Sequence, residues 1–398
     1  MDPLTKALHS NLDFDSASRF HIGYSGGVDS TALLHALSAI GIDKKRVIAV
    51  HVNHRLHENS DDWAEKCADS AKALGVSLLS LTVGAPRRAG ESVETWARRC
   101  RYELFARELQ ANDLLLTAHH RDDAAETFLL QLVRGAGPHG LSGIPNDRPF
   151  AAGRVVRPLL TVSRADILTY VRAHGLDWIN DPSNSNIAHN RNYIRREILP
   201  AFERRWPGIA KRIAHAADLQ QQAASTLDEM ADERISQACS VSVKQISISV
   251  FADLDDIRRR WVIKRWIARA KFPIPDSAHL DQMLKAVHAA HDAQPCVSWK
   301  GVELRRYQQS LYLTRLNQIS SGPTKRLWLL HTALHIDGGK LSAVRCLGDG
   351  LSASLVPPTG VTIRFRFGGE RCHPVGRVHS QTLKRLFQSW GVPPWCRD

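Results

Sequence analysis

The sequence has 398 residues, 43% of them apolar, and its 53 Lys and Arg against 40 Asp and Glu give a net charge of +13. This length suits two or three globular domains of about 100–200 residues each. The chain opens without a signal peptide, and its apolar runs fall short of the roughly 20 residues of a membrane span. We therefore expect a cytoplasmic protein without membrane contact. Its charge favours a polyanionic partner, nucleic acid before membrane, although a merely basic soluble protein would look the same.

Cysteine usage indicates a reducing compartment. The seven cysteines are scattered along the chain, and none forms a Cys-x-x-Cys pair. This spacing argues against a zinc or iron–sulfur site. An odd, dispersed set also fits a reducing cytosol better than a disulfide framework.

The first 145 residues alternate apolar, strand-like runs with helix-like runs. The pattern predicts strands near 20–24, 47–52, 77–83 and 113–118, and helices near 30–39, 61–74 and 92–110. Continuous apolar strands that alternate with helices indicate an α/β fold with a doubly wound parallel sheet. Such sheets bind ligands at the carboxyl ends of their strands, where the loop from Ser25, the His51–His54 stretch and His119-His120 all fall.

The rest of the chain changes character twice. Helices and turn-rich loops come first, then a mostly helical stretch with a basic helix over 256–271, and finally short strand-like runs with a basic tail. We therefore predict three domains: an α/β domain over 1–208, a mainly helical domain over 209–322 and a small basic α+β domain over 323–398.

A glycine loop joins the first strand to the next helix, and residues 25–30 read Ser-Gly-Gly-Val-Asp-Ser. Two glycines let the backbone approach a ligand closely, and the unpaired N–H groups and dipole of the new helix favour an anion such as phosphate. The loop lacks the Gly-Lys-Ser/Thr of a Walker A motif and the third glycine of a dinucleotide fingerprint. It resembles the loop of the ATP pyrophosphatases, which split ATP into AMP and pyrophosphate. An ordinary glycine turn with a Ser/Asp cap is the alternative.

A second cluster begins at His119-His120 and continues into a helix that carries Asp122, Asp123 and Glu126. Spacings of three and four residues put the carboxylates on one helix face, where they would bind Mg²⁺ or a cationic substrate. Alternatively, the aspartates only stabilise the helix N-terminus. The histidines either contact phosphate or move a proton, or they are buried, hydrogen-bonded side chains.

Two further segments carry arginines suited to anions. Arg191 and Arg195 lie one turn apart on a predicted helix, so their guanidinium groups can bind phosphates or a carboxylate together. A solvated basic helix face is the alternative. Arg134 precedes a glycine-rich stretch that predicts either a mobile lid over phosphate or a plain linker.

Together and in order, these motifs resemble those of the bacterial tRNA(Ile)-lysidine synthetase family. The resemblance covers about the first 200 residues, including the Asp181-x-Ser-Asn184 stretch before Arg191. In the C-terminal half of the chain the match to the family motifs is looser, at Arg305-Arg306-Tyr307 and over residues 384–398. Family members usually continue past the final Arg-Asp pair with further strands, whereas this sequence stops at Asp398. The resemblance therefore leaves open an incomplete last domain.

The resemblance implies a reaction in two steps, activation of the base followed by displacement. ATP adenylates the 2-carbonyl of the wobble cytidine in the CAU anticodon of an isoleucine tRNA, and L-lysine then displaces AMP through its ε-amine. The expected cofactors are ATP and Mg²⁺, and the fold would be the PP-loop ATP pyrophosphatase type followed by two tRNA-binding domains. A homodimer is left open.

The resemblance also implies roles for the nucleotide-binding residues. The β- and γ-phosphates of ATP would be held by the loop residues Ser25, Gly26, Gly27, Val28, Asp29 and Ser30. His119 would contact the same nucleotide. Asp29 and Asp122 are the candidate Mg²⁺ ligands.

The remaining roles concern lysine and tRNA. Asp123 and Glu126 would bind the lysine ammonium, while Arg191 and Arg195 would stabilise charge at the α-phosphate or hold the lysine carboxylate. Carboxylates favour the charged amine, yet only the neutral amine attacks, so a base is needed and His120 is the candidate. The tRNA phosphates would be held by the basic helix over 256–271 and by Arg364, Arg366, Arg371, Lys384 and Arg385.

Three other functions compete with this interpretation. A tRNA thiolase of the same superfamily usually needs paired cysteines, which this chain lacks. An ammonia-dependent NAD synthetase would not need the basic C-terminal half. A non-catalytic tRNA-binding protein would have no use for Asp122, Asp123 and Glu126 together, and fold alone would not separate these functions.

Overall fold

The protein is described from a computed structural model. It covers residues 1–398 except 183–186, 188, 238–241, 291–292, 317–324, 337–338, 348–351, 365, 375–377 and 398. Asn184, Asp398 and the predicted domain boundary at 322/323 lie outside these described residues. The chain forms two compact units, Met1–Leu227 and Asp228–Asp398. The division into three domains stays a prediction.

The first unit is built on a six-stranded sheet in the order β3-β2-β1-β4-β6-β5. Its strands are β1 Phe20–Gly23, β2 Val47–Asn53, β3 Ser77–Thr82, β4 Leu114–Leu116, β5 Asp147–Phe150 and β6 Gly153–Val156. All neighbours pair in parallel except β5 and β6, which form an antiparallel hairpin. The predicted parallel α/β sheet is confirmed, and the hairpin was not predicted because its strands have only four residues each and β5 is mostly exposed.

Helices cover both faces of this sheet. They are α1 Pro3–Asn11, α2 Val28–Ala39, α3 Ser60–Ala73, α4 Val93–Glu108, α5 Arg121–Val133, α6 Pro138–Leu141, α7 Arg164–Ala173, α8 Asn190–Tyr193 and α9 Leu199–Arg205. The larger apolar core lies under α1, α2, α3 and α7, and a second core lies under α4. Helix α1 was not predicted, although Asp2 and Pro3 mark its start: Asp2 accepts hydrogen bonds from the N–H groups of Leu4 and Thr5.

A third apolar cluster holds the helices that follow the sheet. Helix α8, a π-helical turn at Ile194–Ile198 and α9 follow one another directly along the chain. Ile194 and Leu199 pack with Ala125 and Phe128 of α5. This contact brings the segment that carries Arg191 and Arg195 onto α5.

Helix α10, Ile209–Gln237, contains the boundary between the units. In the second unit, α11 Asp256–Arg269 and α12 Ser277–His288 pack on an antiparallel sheet in the order β7-β10-β9-β8. Its strands are β7 Gln245–Ser247, β8 Cys296–Trp299, β9 Val302–Tyr307 and β10 Ser310–Arg315. The predicted strand-like stretch at 302–313 is the β9–β10 hairpin.

The end of the chain contains short strand pairs and one helix. The pairs are β11 Arg326–Trp328 with β14 Val361–Ile363, β12 Leu334–Ile336 with β13 Gly339–Leu341, and β15 Arg371–Cys372 with β16 Gln381–Thr382; helix α13 spans Leu383–Ser389. Across the described residues, we find no helix both long and apolar enough to cross a membrane.

Candidate active site

The glycine loop between β1 and α2 contains Gly26 and Gly27, and a side chain would have different effects at these two positions. Gly26 has φ +77°, and a Cβ there would lie 2.4 Å from Ile179 Cδ1 and 2.8 Å from Cys67 Sγ. The fold itself therefore requires glycine at this position. A Cβ on Gly27 would meet nothing closer than Ser25 Oγ at 3.5 Å. The protein leaves room at Gly27, which fits the close approach of a ligand.

Hydroxyl groups hold the shape of this loop. Ser30 Oγ accepts from the Ser25 N–H at 3.2 Å and donates to the Gly27 carbonyl at 3.0 Å. The N–H groups of Val28, Asp29 and Ser30 belong to the first turn of α2, where no carbonyl of the same helix can accept from them. These N–H groups and the helix dipole suit an anion such as phosphate.

The acidic face of α5 and the two predicted arginines form one ion-pair network. Arg191 donates from Nε to Glu126 Oε2 at 2.9 Å and from Nη2 to Asp123 Oδ1 at 3.2 Å. Arg195 donates from Nε to Glu126 Oε1 at 2.5 Å and from Nη2 to Asp123 Oδ1 at 3.1 Å. The His120 N–H donates to Asp123 Oδ2 at 3.0 Å. Every oxygen of the two carboxylates therefore has a donor.

The network is electrically balanced. Glu126 is fully buried and Asp123 is 8% exposed. Burial alone would raise the pKa of Asp123, but His120 and Arg191 hold it below its usual value. Burial likewise opposes the charge of Arg195, yet its contacts with Glu126 raise its pKa. The two carboxylates and two guanidinium groups sum to no net charge.

The His120 ring lies between three carboxylates. It is fully buried, with Nε2 3.4 Å from Asp123 Oδ2 and 3.7 Å from Asp29 Oδ1, and with Nδ1 3.7 Å from Asp122 Oδ2. Burial lowers the pKa of His120, but Asp122, Asp123 and Asp29 outweigh it, so the pKa is raised. The three carboxylates therefore favour the protonated form of the ring, which argues against His120 as the base.

The neighbouring histidines are held neutral. Burial, with the nearby Arg157 and Arg191, places the pKa of His119 well below its usual value although Asp123 opposes this. His119 Nδ1 lies 2.9 Å from Thr117 Oγ1. His51 is buried with Nδ1 3.0 Å from the Tyr24 carbonyl, and burial lowers its pKa. His51 is thus held by the backbone of Tyr24, the residue after β1. His119 is close enough to Asp123 and Arg191 for their charges to affect its pKa.

The two candidate Mg²⁺ ligands differ in how far they are already engaged. Asp29 Oδ1 is buried without a hydrogen-bond partner, and burial raises the Asp29 pKa. Asp122 Oδ2 accepts from the Arg164 N–H at 3.0 Å, a contact the sequence did not predict. The described residues contain no group of three or more His, Cys, Asp or Glu side chains arranged to hold a metal. A carboxylate oxygen that accepts no hydrogen bond fits a Mg²⁺ ion that takes its other ligands from phosphates and water.

The basic helix α11 uses its arginines within its own unit. Arg265 pairs with Asp228 at 2.8 Å and with Asp232 at 2.5 Å, and Trp266 is buried with its Nε1 donating to the Val243 carbonyl. The other paired arginines of this helix are Arg258, Arg259, Arg260 and Arg269. These contacts lie within the second unit, and the role of α11 in holding tRNA phosphates stays a prediction.

Other predicted basic residues differ in their surroundings. Arg134 is exposed at the end of α5, away from the ion-pair network. Arg371 donates to the Ser380 hydroxyl and carbonyl. Lys384 and Arg385 are exposed on α13, and no ion pair of the described residues includes them.

Sequence reasoning missed a group of basic side chains at the carboxyl edge of the sheet, near the N-terminal half of α4. Arg98 and Arg101 lie one turn apart on α4, and Arg157 follows β6. The spacing of Arg98 and Arg101 was visible in the sequence, as it was for Arg191 and Arg195. The position of Arg157 was not, because β6 itself was not predicted.

Comparisons with known proteins cover almost the whole chain. Residues 3–202 match the PP-loop domain family, residues 246–312 the TilS substrate binding domain and residues 361–398 the TilS substrate C-terminal domain. A tRNA(Ile)-lysidine synthase of Coxiella burnetii is 38% identical over 96% of this chain and 86% of its own length. One of Alkalilimnicola ehrlichii is 38% identical over 100% of this chain and 89% of its own.

Among solved structures, the U34-tRNA thiolase NcsA of Methanococcus maripaludis aligns with 55% of this chain and 78% of its own. The identity is 15% and the TM-score 0.47, a likeness too weak to bear on function.

Proposed function

Because this chain belongs to the tRNA(Ile)-lysidine synthase family, a family of ligases, we propose that it joins L-lysine to the wobble cytidine of the isoleucine tRNA with a CAU anticodon. In the first step the cytosine O2 attacks the α-phosphorus of ATP, and pyrophosphate leaves. In the second the lysine ε-nitrogen bonds to C2, and AMP leaves with the original oxygen. The products are lysidine, AMP and pyrophosphate. Such an enzyme would act in the cytoplasm, where tRNA is modified.

The observation that carries the proposal is the contact between the phosphate loop and the ion-pair network. His120 lies 3.7 Å from Asp29 of α2 and 3.4 Å from Asp123 of α5. An anion site and a pair of carboxylates suited to an amine are thus neighbours at the carboxyl edge of one sheet. This arrangement supports a reaction in which an adenylated intermediate meets a cationic co-substrate.

The network also supports an order of binding. Arg191 and Arg195 occupy the oxygens of Asp123 and Glu126 that a lysine ammonium would need. The phosphates of ATP would draw these guanidinium groups away, since arginine pairs with phosphate as readily as with carboxylate. The carboxylates would then accept the ammonium, so ATP binds before lysine.

The proton of the attacking amine needs an acceptor other than His120. A lysine ammonium has a pKa of about 10.4. The carboxylates around His120 raise its pKa and so favour a ring that already carries the proton. The carboxylates of Asp123 and Glu126, once the guanidinium groups have moved, are within reach of the same ammonium. They would take the proton as the C–N bond forms and the nitrogen becomes more acidic. His120 would position the carboxylates.

The proposal includes Mg²⁺ bound with ATP. Asp29 would hold the ion through its Oδ1, which accepts no hydrogen bond, and Asp122 is the second candidate, at the other ring nitrogen of His120. When bound, the ion would neutralise charge on the departing pyrophosphate.

A tRNA thiolase is the competing assignment, and the surroundings of Cys67 weigh against it. This cysteine lies against Gly26 of the phosphate loop. Cys67 is buried, and burial raises its pKa to about 12, whereas sulfur transfer needs a reactive thiolate.

The test is transfer of radiolabelled lysine to a CAU isoleucine tRNA transcript by the purified full chain. We expect label in the tRNA only when ATP is present, and no label with Glu126→Gln, which removes a carboxylate charge from the network. Absence of transfer by the unaltered chain would refute the proposal. Equal labelling of an elongator methionine tRNA, which has the same anticodon, would refute the specificity for isoleucine tRNA.

A further inference from the structure

A segment without regular secondary structure runs from the end of α7 to the phosphate loop. Along residues 176–180, Leu176 and Ile179 pack against the larger apolar core of the first unit, whereas Trp178 between them is exposed. The backbone N–H of Ile179 donates to the Gly26 carbonyl at 2.8 Å. The shape of the phosphate loop therefore depends on a segment that lies far along the chain from it.

Three side chains from three elements enclose Gly26. The Ile179 side chain and Cys67 of α3 lie so close that a Cβ on Gly26 would be 2.4 Å from Ile179 Cδ1 and 2.8 Å from Cys67 Sγ. Thr31 of α2 donates from Oγ1 at 3.3 Å to the same Gly26 carbonyl that the Ile179 N–H contacts. We call Thr31, Cys67 and Ile179 the Gly26 clamp. Because Thr31 and Cys67 are buried, two members of the clamp belong to the core.

The clamp determines the direction of one peptide group. The Gly26 carbonyl and the Gly27 N–H belong to the same planar trans peptide, so they point in opposite directions. Because two donors hold the carbonyl, the Gly27 N–H must point away from Ile179 and Thr31. This N–H donates to Ser25 Oγ at 3.4 Å, which is long for a hydrogen bond. A phosphate oxygen can therefore replace Ser25 Oγ as its acceptor.

With glycine at both positions, this direction would be lost easily without the clamp. Gly26 has φ +77°, and a residue without a Cβ adopts positive and negative φ about equally well, so the peptide between Gly26 and Gly27 could rotate. Rotation would turn a carbonyl oxygen towards the anion in place of an N–H. A loop that is held in its binding geometry before ATP arrives avoids the entropy cost of ordering it. The clamp thus preorganises the phosphate loop.

Ile179 is the member of the clamp that can be changed without altering α2 or α3. It is partly buried and belongs to the connection between α7 and α8. Its side chain keeps the segment against the core, and its N–H then reaches the Gly26 carbonyl. At 2.8 Å this hydrogen bond is shorter than the 3.3 Å contact from Thr31, so Ile179 makes the stronger of the two contacts with that carbonyl.

We propose that Ile179 is a positioning residue for ATP. It holds the Gly26 carbonyl on the inner side of the loop, so that the Gly27 N–H is directed at the phosphates that leave as pyrophosphate. Ile179 acts on ATP through this peptide group and not by direct contact. This inference rests on the proposed function, and it adds a residue from the connection after α7 to an ATP site otherwise made by residues 25–30.

The experiment measures the affinity of the purified full chain for ATP with Mg²⁺ by calorimetric titration, together with initial rates of lysine transfer. In Ile179→Ala the segment loses its apolar contact, so we expect both the Kd and the KM for ATP to rise about tenfold. At saturating ATP the ligand itself orders the loop, so kcat and the KM for lysine should change less than about twofold. Ile179→Val keeps a branched side chain and should weaken ATP binding by only about threefold.

Ile42→Ala is the matched control. Ile42 is the same residue type, is likewise partly buried and packs against the same apolar core. It follows the C-terminal end of α2, whereas the phosphate loop precedes the N-terminal end. Ile42→Ala should lower Tm as Ile179→Ala does, while the affinity for ATP changes less than about twofold. The comparison separates the loss of core contacts from the loss of loop geometry.

Several results would overturn the inference. These are an ATP affinity of Ile179→Ala that equals that of the unaltered chain, or an equal loss of ATP affinity in Ile42→Ala. A raised KM for lysine with unchanged ATP affinity would assign the segment to the lysine site instead. If thermal unfolding shows that Ile179→Ala does not fold, the smaller loss expected for Ile179→Val, compared with Ile42→Val, decides the matter. ATP affinity that depends on Ile179, without lysine transfer by the unaltered chain, would contradict the proposed function alone.

Discussion

At the scale of single residues, the His120 ring lies between Asp29, Asp122 and Asp123. Its pKa in the folded protein is raised above the ordinary value of 6.5. A group with a raised folded pKa stabilises the fold fully below its unfolded pKa and loses that contribution as pH rises through the folded pKa. We therefore expect the stability difference between the unaltered chain and His120→Gln to be largest below pH 6.5 and to shrink as pH rises above it.

Thermal unfolding of both proteins across this pH range measures the difference. His215→Gln, on an exposed face of α10, is the control for the loss of a histidine. A difference that grows with pH would mean that the His120 ring is neutral in the folded protein.

A substitution of Asp123 should change the KM for lysine much more than the KM for ATP. In Asp123→Asn the lysine ammonium loses a charged acceptor, which should raise the KM for lysine about tenfold while the KM for ATP changes less than about threefold. Initial rates of lysine transfer, with each substrate varied in turn, give both values. Asp69→Asn, an exposed aspartate on α3, is the control. Equal effects on both KM values would instead assign Asp123 to ATP or its metal.

At the scale of one element, the start of α2 separates a glycine needed for folding from one needed for binding. Gly27→Ala adds a methyl group in free space at an N-cap with φ −73°, so we expect Tm to fall by no more than about 3 °C. ATP affinity should fall about tenfold, because the methyl group blocks the approach of phosphate to the backbone. Differential scanning fluorimetry and calorimetric titration with ATP measure the two effects.

Gly26→Ala gives the comparison within the same loop. Because Gly26 has a φ of +77° and an added Cβ would overlap Ile179 and Cys67, we expect most of the Gly26→Ala protein to be unfolded. Its main defect is then in Tm and not in ATP affinity. Gly27→Ala with normal ATP affinity would show that phosphate does not approach Gly27.

Helix α11 combines a basic composition with ion pairs inside its own unit. Arg265→Gln removes contacts with Asp228 and Asp232, so we expect Tm to fall by roughly 2–4 °C while tRNA affinity changes less than about twofold. Lys264→Gln, the neighbouring cation of α11 outside these pairs, is the control for loss of charge alone. A large loss of tRNA affinity with unchanged Tm in Arg265→Gln would indicate that α11 binds tRNA directly.

At the scale of the whole molecule, the net charge of +13 should make tRNA binding strongly dependent on salt. Lys384 and Arg385 are exposed on α13, outside every ion pair of the described residues. Replacing both with Gln should reduce the slope of log K against log salt by about 2 and weaken binding of the full tRNA. Filter binding at several salt concentrations measures this. Lys66→Gln with Lys72→Gln on α3 removes the same charge, and an equal loss there would mean that only net charge matters.

The phosphate loop and the acidic helix were predictable because their signals are local. Residues 25–30 contain both glycines and the helix start, and Asp122, Asp123 and Glu126 are within one turn and a half of each other. Turn and helix geometry follow from backbone sterics over a few residues, so short windows are enough to recognise them.

The pairing of Arg191 and Arg195 with Asp123 and Glu126 could not be found in that way. These partners are 65 to 72 residues apart in sequence, and they meet because Ile194 packs in the same apolar cluster as Ala125. The charge state of His120 has the same origin, since it depends on Asp29 from a different strand–helix unit. Burial and distance between remote groups are properties of packing.

By itself, the sequence determined the class of sheet, the phosphate loop, the acidic helix face and the family that these motifs resemble. Each depends on periodicity or on spacing within one element, which side-chain sterics and hydrogen bonding impose on a short segment. Only the tertiary structure decided that the carboxylates and arginines neutralise one another, that three carboxylates surround His120, and that most arginines of α11 pair within their own unit. Charge balance depends on which groups share a small buried volume, and chain folding sets that volume.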